Sequence, residues 1–271
     1  MAQGELDLTV GIIGGGSMGG SIARGLVASG TLEAARVLVA DSAAEKRDEL
    51  AALGMRTFED APALVDAGPD VVVLAVKPQV LPDVMESVST RLAEKCVISI
   101  AAGVSLATIE GALPGARVVR VMPNLPVQVR SGATAVTGGS RATREDVRLA
   151  CTLFSALGAV AEMREDQLDV SGAVVGTAPA FFSLFVDALT RAAVLRGLPA
   201  ASARELVETT MRGCAEQLLN EGVHPREYME RVTSPGGTTA AALFELEPAL
   251  MDGTYAAVDA ALARTRELAG E

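Results

Sequence analysis

The sequence of 271 residues contains one histidine and three cysteines, and this scarcity excludes several kinds of catalytic site. His224 directly precedes Pro225, which indicates a loop position and argues against a histidine general acid or a catalytic triad. The cysteines have neither CxxC spacing nor a neighbouring histidine cluster; they are Cys96, Cys151 and Cys214. We therefore expect no metal site and three reduced cysteines buried as small hydrophobic residues.

Basic residues are scarce as well, because Lys and Arg number 23 against 34 Asp and Glu and leave a formal net charge of -11 at pH 7. Such an acidic chain does not suit nucleic acid or an anionic membrane as a partner, so we expect a small-molecule ligand. The first residues, MAQGELDLTV, lack the basic region and apolar core of a secretory signal, which predicts a cytoplasmic protein.

Long uncharged runs are limited to the 17 residues from 170 to 186, which approach the length of a membrane span. Pro179 lies within this run, and Asp169 and Asp187 flank it. This pattern favours a buried helix pair or a subunit interface over a span, so we expect no membrane segment.

A glycine-rich turn near the N-terminus is the strongest functional motif in the chain. The apolar run 8–13 leads into glycines with GxGxxG spacing, and apolar residues then return with helical spacing. Between a strand and a helix, such glycines allow the tight turn, the approach of a pyrophosphate and the packing of the helix on the strand. The motif predicts a dinucleotide site, with an ordinary tight turn as the alternative. Its residues are Gly14, Gly16, Ser17, Met18 and Gly19.

Strand and helix signals alternate in the first half of the chain and predict βαβ units on a largely parallel sheet. The predicted strands are 8–13, 37–40, 55–58, 71–76, 97–100, 118–122, 134–136 and 159–163. The patterns that follow predict helices at 167–175, 179–196, 200–220, 238–246 and 253–269. We therefore predict an α/β fold: a Rossmann-like dinucleotide-binding domain, residues 1–166, followed by an all-helical dimerisation domain, residues 167–271.

In an open parallel sheet the ligand lies at the carboxyl ends of the strands, so residues that follow strands are candidates for cofactor contacts. These candidates are Asp41, Lys77, the run Ala101, Ala102 and Gly103, and Asn124. Asp41 is placed to accept both ribose hydroxyls of NAD and to repel the 2′-phosphate of NADP, which slightly favours NADH. A helix cap is the alternative role for Asp41, and Lys46 and Arg47 keep NADP open. For Lys77, a solvated loop lysine is as good an interpretation as a cofactor contact.

A second glycine-rich turn, at residues 233–239, opens directly into a predicted helix. Backbone N–H groups at a helix start can hold a carboxylate, and nearby hydroxyls add donors. The turn predicts a site for a small acid, with a helix capped by Thr238 as the alternative. Its residues are Ser234, Gly236, Gly237, Thr238 and Thr239. Because histidine and zinc chemistry are disfavoured, hydride transfer to an already protonated imine is the favoured reaction.

These motifs resemble those of the pyrroline-5-carboxylate reductase family over essentially the whole chain. The resemblance rests on the first glycine-rich loop, on AVKP at 75–78, on VRVMPNLP at 119–126 and on VTSPGGTT at 232–239. It implies NAD(P)H-dependent reduction of 1-pyrroline-5-carboxylate to L-proline, the last step of proline biosynthesis. It also implies that Ala75, Val76 and Pro78 contact the cofactor beside Lys77. The second turn would bind the substrate carboxylate, and the catalytic Thr239 hydroxyl would meet the ring nitrogen. The helical domains of two subunits would then build each active site together.

Two departures from the family pattern leave the substrate open. Leu125 stands where the family usually has threonine, and VGTAPAF from Val175 stands where it usually has SGSGPAY, with Ala178 replacing a glycine. A reductase or dehydrogenase of a related cyclic imino or amino acid in a specialised pathway is therefore an alternative. A non-catalytic dinucleotide-sensing module is another, which the retained Thr238 and Thr239 disfavour.

The expected partners are a small cyclic imino acid and a second copy of the chain. The helical domain is small and its first helices are unusually apolar, so a monomer would expose a large apolar patch. This predicts a homodimer, with a higher assembly of dimers left open.

Overall fold

The computed structural model describes residues 6–269, which divide into two compact units. The first unit contains the residues up to Thr177 together with those from Ala261 onward, and the second unit is Ala178–Ala260. The predicted domain boundary at residue 166 lies eleven residues before Thr177, where the first segment of the first unit ends. The start of the helical domain at residue 167 stays a prediction.

An eight-stranded sheet forms the centre of the first unit. Its strands are β1 Val10–Ile13, β2 Val37–Ala40, β3 Arg56–Phe58, β4 Val71–Leu74, β5 Cys96–Ser99, β6 Arg117–Met122, β7 Gly132–Gly138 and β8 Gly158–Glu162. They lie in the order β3-β2-β1-β4-β5-β6-β7-β8, and every neighbouring pair is parallel except β6 and β7. β1, β2, β4 and β5 are apolar and buried throughout, as strands covered on both faces must be. The prediction of a largely parallel α/β sheet is confirmed.

Helices cover both faces of this sheet. They are α1 Ser17–Ala28, α2 Ala44–Ala51, α3 Ala61–Asp66, α4 Leu81–Val88, α5 Leu106–Ala112, α6 Arg144–Ser155 and α7 Glu165–Ser171. α1 and α6 contribute Ile22 and Phe154 to the core on one face, and α4 and α5 contribute Met85 and Ile109 to the core on the other. Because β1, β2, β4, β5 and β6 run parallel, their carboxyl ends share one edge of the sheet, where the candidate cofactor residues lie.

Two helical segments of the first unit differ from expectation. α3 was not predicted, although Asp60 caps it by accepting a hydrogen bond from the Ala63 N–H at 2.8 Å and Pro62 occupies its first turn. The helix predicted at 167–175 is α7 followed by a π-helical turn, Gly172–Gly176. A π-helical turn carries one extra residue per turn, so periodicity alone does not reveal it.

The second unit contains only helices among its described elements: α8 Ala178–Val194, α9 Ala200–Glu221, α10 Pro225–Arg231 and most of α11 Thr238–Ala269. α10 was not predicted, and His224 caps it through Nδ1, which accepts from the Arg226 N–H at 3.2 Å. The prediction of separate helices at 238–246 and 253–269 is wrong, because α11 continues through Pro248. A proline removes a single helical hydrogen bond, and a long helix can absorb that loss as a kink.

α8 has no buried residue in the single chain. Phe182 is 60% exposed and Leu184 is 68% exposed. The helical run Glu165–Val194 is long enough to span a membrane, and its most apolar 18-residue window has a mean hydropathy of 1.6 and is 11% buried. An apolar helix with this exposure needs a cover, and the expectation of no membrane segment stays a prediction.

Candidate active site

The glycine-rich loop between β1 and α1 has the geometry of a dinucleotide turn. Gly14 has φ +107°, and a Cβ added there would lie 2.7 Å from the Ala75 carbonyl oxygen. A Cβ on Gly19 would overlap the Gly14 carbonyl, so this glycine allows α1 to pack on the turn. A Cβ on Gly16 would meet no described heavy atom within 4 Å. The loop is therefore closed at its two outer glycines and open at the middle one, where a pyrophosphate would approach.

The first turn of α1 faces this opening without a side-chain cap. Gly16 is the N-cap and gives no side-chain hydrogen bond, and the first turn contains no acidic residue. The first backbone N–H groups of the helix, including those of Ser17 and Met18, can therefore bind an anion. Gln128 Nε2 donates to Ser17 Oγ at 3.3 Å and positions that hydroxyl beside the opening.

Asp41, at the end of β2, ties the glycine-rich loop to the start of α2. Its Oδ2 accepts from the Gly15 N–H at 2.8 Å and its Oδ1 accepts from the Ala43 N–H at 2.9 Å. The bond to Ala43 forms a turn before α2, whose N-cap is Ala43 without a side-chain cap, so the interpretation of Asp41 as a helix cap is wrong. Each carboxylate oxygen keeps capacity for a second donor, so both ribose hydroxyls can still be accepted.

A cavity of about 450 Å³ lies beside Asp41 and Gly14. Its lining includes four acidic residues and no basic residue; the acids are Asp41, Glu59, Asp60 and Asp83. Arg47 is not in this lining, and its Nη1 donates to the backbone carbonyls of two lining residues, Asp41 at 2.8 Å and Ser42 at 2.9 Å.

The residues that follow β4 divide between this cavity and solvent. Ala75 forms the wall against Gly14, and its N–H donates to the Ile13 carbonyl at 2.8 Å. Val76 lines the cavity, whereas Lys77 and Pro78 are exposed. The Lys77 carbonyl accepts from the Val80 N–H at 2.9 Å, which turns the chain into α4. A cofactor contact by Lys77 stays a prediction.

A second cavity, of about 440 Å³, opens at the carboxyl ends of β5 and β6. Its walls are formed by Met18, Ala102, Gly103, Arg120, residues 122–125, Leu168 and Asp169 of α7, part of the π-helical turn, Thr177, and Ala261, Arg264 and Thr265 of α11. Of the predicted run 101–103, Ala102 and Gly103 line the cavity, whereas Ala101 is buried and is not part of the wall. The π-helical turn was missed as a wall because its residues belong to the segment predicted as a separate domain.

Asn124 is fixed at this cavity by both ends of its carboxamide. Its Oδ1 accepts from the Ala133 N–H at 2.9 Å, and its Nδ2 donates to the Val175 carbonyl at 3.2 Å. Asn124 therefore joins β6, the start of β7 and the π-helical turn while lining the cavity. Val175 contributes its carbonyl and is not part of the cavity wall, whereas Leu125 is in the wall and is 50% exposed.

The turn at 233–239 belongs to the second unit. The Gly237 N–H donates to the Ser234 carbonyl at 3.0 Å, with Pro235 between them and Gly236 at φ +68°, as a type II turn requires. A Cβ on Gly237 would meet Ser234 Oγ and lie 3.1 Å from the Ser234 carbonyl oxygen, so a larger residue there would displace the serine hydroxyl. The hydroxyls of Ser234, Thr238 and Thr239 make no hydrogen bond within the part of the chain that the structure describes. A capping role for Thr238 is therefore unsupported, and the hydroxyls can bind a ligand.

No group of three or more His, Cys, Asp or Glu side chains converges among residues 6–269, and the expectation of no metal site stays a prediction. Burial, aided by Asp146, raises the pKa of the Cys96 thiol to about 12, which makes it inert as a nucleophile. The expectation of three buried cysteines holds for Cys96, whereas Cys151 and Cys214 are half-buried.

Two protein families match the chain. Residues 165–268 match the family described as pyrroline-5-carboxylate reductase dimerisation, and residues 9–103 match the family described as NADP oxidoreductase, coenzyme F420-dependent. The chain is 38% identical over 263 residues to a pyrroline-5-carboxylate reductase of Methanosarcina acetivorans, covering 96% of this chain and 97% of the relative.

Solved structures with the same fold carry related names. A pyrroline-5-carboxylate reductase from Coxiella burnetii superposes with a TM-score of 0.91 at 35% identity, covering 97% of this chain and 99% of that one. A pyrroline carboxylate reductase from Plasmodium falciparum, solved with NADP bound, gives a TM-score of 0.88 at 25% identity, covering 98% and 100% of the two chains.

Proposed function

The chain belongs to the pyrroline-5-carboxylate reductase family, and from that premise we propose that it reduces 1-pyrroline-5-carboxylate to L-proline with NAD(P)H, as a homodimer. The observation that carries the proposal is the turn at 233–239, which is intact and offers hydroxyls without partners among the described residues. A module that merely sensed a dinucleotide would have no use for this turn.

The cofactor residues fit a dinucleotide from the pyrophosphate to the nicotinamide. The open position at Gly16 and the uncapped first turn of α1 would hold the pyrophosphate, and Asp41 would hold the adenosine ribose. Met18 and Asn124 would flank the nicotinamide in the second cavity. When bound, the reduced nicotinamide supplies the hydride. The chain supplies the orientation of both reactants.

We propose that NADH is the better cofactor. The 2′-phosphate of NADPH would bring between about one and two negative charges to a cavity whose lining has four carboxylates and no cation. Arg47 is not in that lining, and its Nη1 already donates to the backbone carbonyls of Asp41 and Ser42. The relative from Plasmodium falciparum was solved with NADP, so acceptance of NADPH at lower efficiency is consistent with the family.

The substrate residues follow from the chemistry of a cyclic imino acid. Its carboxylate would bind the backbone N–H groups of Gly237 to Thr239, and its ring nitrogen would meet the Thr239 hydroxyl. These two fixed points leave the ring free only to rotate about the line that joins them, and stacking on the nicotinamide would set that rotation, so hydride would reach the ring carbon from one face. Because the imine is already protonated, a neutral hydroxyl can orient it without a shifted pKa.

The test is a steady-state assay of the purified protein that follows the absorbance of the reduced nicotinamide. We expect turnover of 1-pyrroline-5-carboxylate with a kcat/KM at least about tenfold above that of a six-membered cyclic imino acid, a difference of about 1.4 kcal/mol in transition-state binding. A preference for the six-membered substrate would assign the enzyme to a related pathway, with Leu125 in the cavity wall as the first residue to examine. Binding of NADH without turnover of either imine would overturn the proposal.

A further inference from the structure

Arg120 lines the second cavity, and the reaction proposed above gives its buried guanidinium no role. Arg120 lies on β6 with 3% of its side chain exposed. Its Nη1 donates to Glu165 Oε1 at 3.0 Å and its Nη2 donates to Asp169 Oδ1 at 2.6 Å. Its Nε is buried without a partner among the described residues. Since a buried ion pair seldom stabilises more than apolar residues of similar volume would, stability alone does not explain this arginine.

The ion cluster joins three separate segments of the first unit. Glu165 Oε1 accepts a second hydrogen bond, at 2.6 Å, from the N–H of Leu106, the first residue of α5. Arg120 belongs to β6, and Glu165 and Asp169 belong to α7. The cluster therefore fixes the ends of β6, α5 and α7 with respect to one another.

These same segments hold the walls of the cavity proposed for the nicotinamide. Gly103 lies in the loop that leads into α5, and Met122 and Asn124 follow Arg120 along the chain. α7 leads into the π-helical turn, where a Cβ added to Gly172 would lie 2.9 Å from Met122 Cε. The Val175 carbonyl in that turn accepts from Asn124 Nδ2. A shift of α7 would therefore move the π-helical turn against two residues of the opposite wall.

The fork of the arginine suits this task better than any other side chain. Glu165 and Asp169 are four residues apart on one face of α7, so binding both fixes the helix along its axis and about its axis. A lysine is a single flexible point charge and would leave the rotation of the helix free. An apolar residue would fill the space but would fix neither the position of α7 along its axis nor its rotation about that axis.

We propose that Arg120 is a positioning residue for the reduction, which fixes α7 and its π-helical turn so that the cavity holds the nicotinamide and the imine in reactive geometry. The inference rests on the proposed function for the identity of the reactants. It requires only that the second cavity receive the nicotinamide.

The test compares three variants of the full-length protein: R120M, R120K and, as a matched control, R117M. Arg117 lies at the other end of β6 and pairs with Asp146 on α6 at 2.9 Å, so its loss removes an ion pair of the same strand away from the cavity. We expect kcat for R120M to fall by about 10- to 100-fold, the loss expected from a misplacement near 1 Å. R120K should show a similar fall, and R117M should keep kcat within about twofold although its melting temperature drops.

The dissociation constant for NADH separates positioning from general damage. The cavity beside Asp41 and Gly14 has none of Arg120, Glu165 and Asp169 in its lining, so binding of the adenosine end should not depend on them. The dissociation constant should change by less than about threefold in R120M, while the fluorescence of the bound nicotinamide changes in intensity or anisotropy. This fluorescence can be read even if no imine is turned over, so failure of the proposed function is distinguishable from failure of the inference. A kcat for folded R120M within about twofold of the wild type, or an equal loss in R117M, would overturn the inference.

If R120M does not fold, E165Q and D169N provide the same test. The side chains of Glu165 and Asp169 are 35% and 41% exposed, so each neutral amide can be solvated where it is not bound to Arg120. We expect each to lower kcat by a smaller factor of about 3 to 10, because one arm of the fork remains. Unchanged kcat in both would refute the positioning role.

Discussion

The ion pair between Asp146 and Arg117 predicts how the stability of the first unit depends on pH. Burial by itself raises the pKa of Asp146, but hydrogen bonds from Arg117 and Thr143 outweigh burial and lower that pKa from 3.8 to about 2. Arg117 Nε donates at 2.9 Å and the Thr143 N–H at 2.8 Å, both to Asp146 Oδ2. The carboxylate also closes a capping box at the start of α6.

The magnitude follows from the difference between the folded and unfolded pKa of this carboxylate. A pKa lowered in the folded state means that the ionised form is stabilised there, so the contribution is present above the unfolded pKa and is lost as the pH falls from 3.8 towards 2. At pH 6 it amounts to about 2 kcal/mol in the free energy of unfolding, and at pH 3 about half of it remains.

The assay is urea unfolding of the wild type and of Asp146→Asn at one fixed protein concentration, at pH 6 and at pH 3. We expect the wild type to exceed the variant by about 1 kcal/mol more at pH 6 than at pH 3. Asp66→Asn is the matched control, because its pair with Arg91 is exposed to solvent and such pairs contribute little. An equal difference between wild type and Asp146→Asn at both pH values would refute the assigned pKa.

Three further predictions concern the cofactor, the substrate and the subunit interface. Asp41→Ser should raise the ratio of kcat/KM for NADPH to that for NADH by about 10- to 100-fold, because it removes the carboxylate nearest the 2′-phosphate; a wild type that already prefers NADPH by more than about tenfold would contradict this. Thr239→Val should lower kcat/KM by about 10- to 1,000-fold with cofactor affinity nearly unchanged, and full activity in the folded variant would remove Thr239 from the catalytic residues. Phe182→Arg should split or unfold the dimer, because the interface would bury an unpaired charge. Light scattering after gel filtration measures the mass of the particle, and a wild type that is monomeric at micromolar concentration would refute the interface.

The sheet could be predicted from the sequence because its central strands are short apolar runs that carry their own signal. β4, VVVL, and β2, VLVA, are buried at every position, and such runs between helical patterns indicate a parallel sheet. α3 escaped prediction because only six residues support it, although Asp60 and Pro62 gave a start signal that could have been used. α11 was divided in two because Pro248 signals a break locally, whereas packing along a 32-residue helix tolerates it.

The candidate site was predictable where a single stretch of chain builds it. Glycine indicates the geometry of both the glycine-rich loop and the turn at 233–239, because it stands where the backbone needs a positive φ or a close approach, as at Gly14 and Gly236. The cluster around Arg120 could not be predicted, because its carboxylate partners lie 45 and 49 residues further along the chain. An arginine within an apolar strand pattern shows only that it needs a partner, and its identity depends on the fold.

The bare surface of α8 has a consequence for the amount of enzyme in a cell. If a second copy covers this helix, association is part of folding, and the free energy of unfolding rises with the logarithm of protein concentration. Halving synthesis would then lower the folded enzyme by more than half, because the uncovered subunits that accumulate are open to proteases. Metabolic flux through the enzyme would therefore fall more than in proportion to its expression, so the dimer contact would make that flux sensitive to gene dosage.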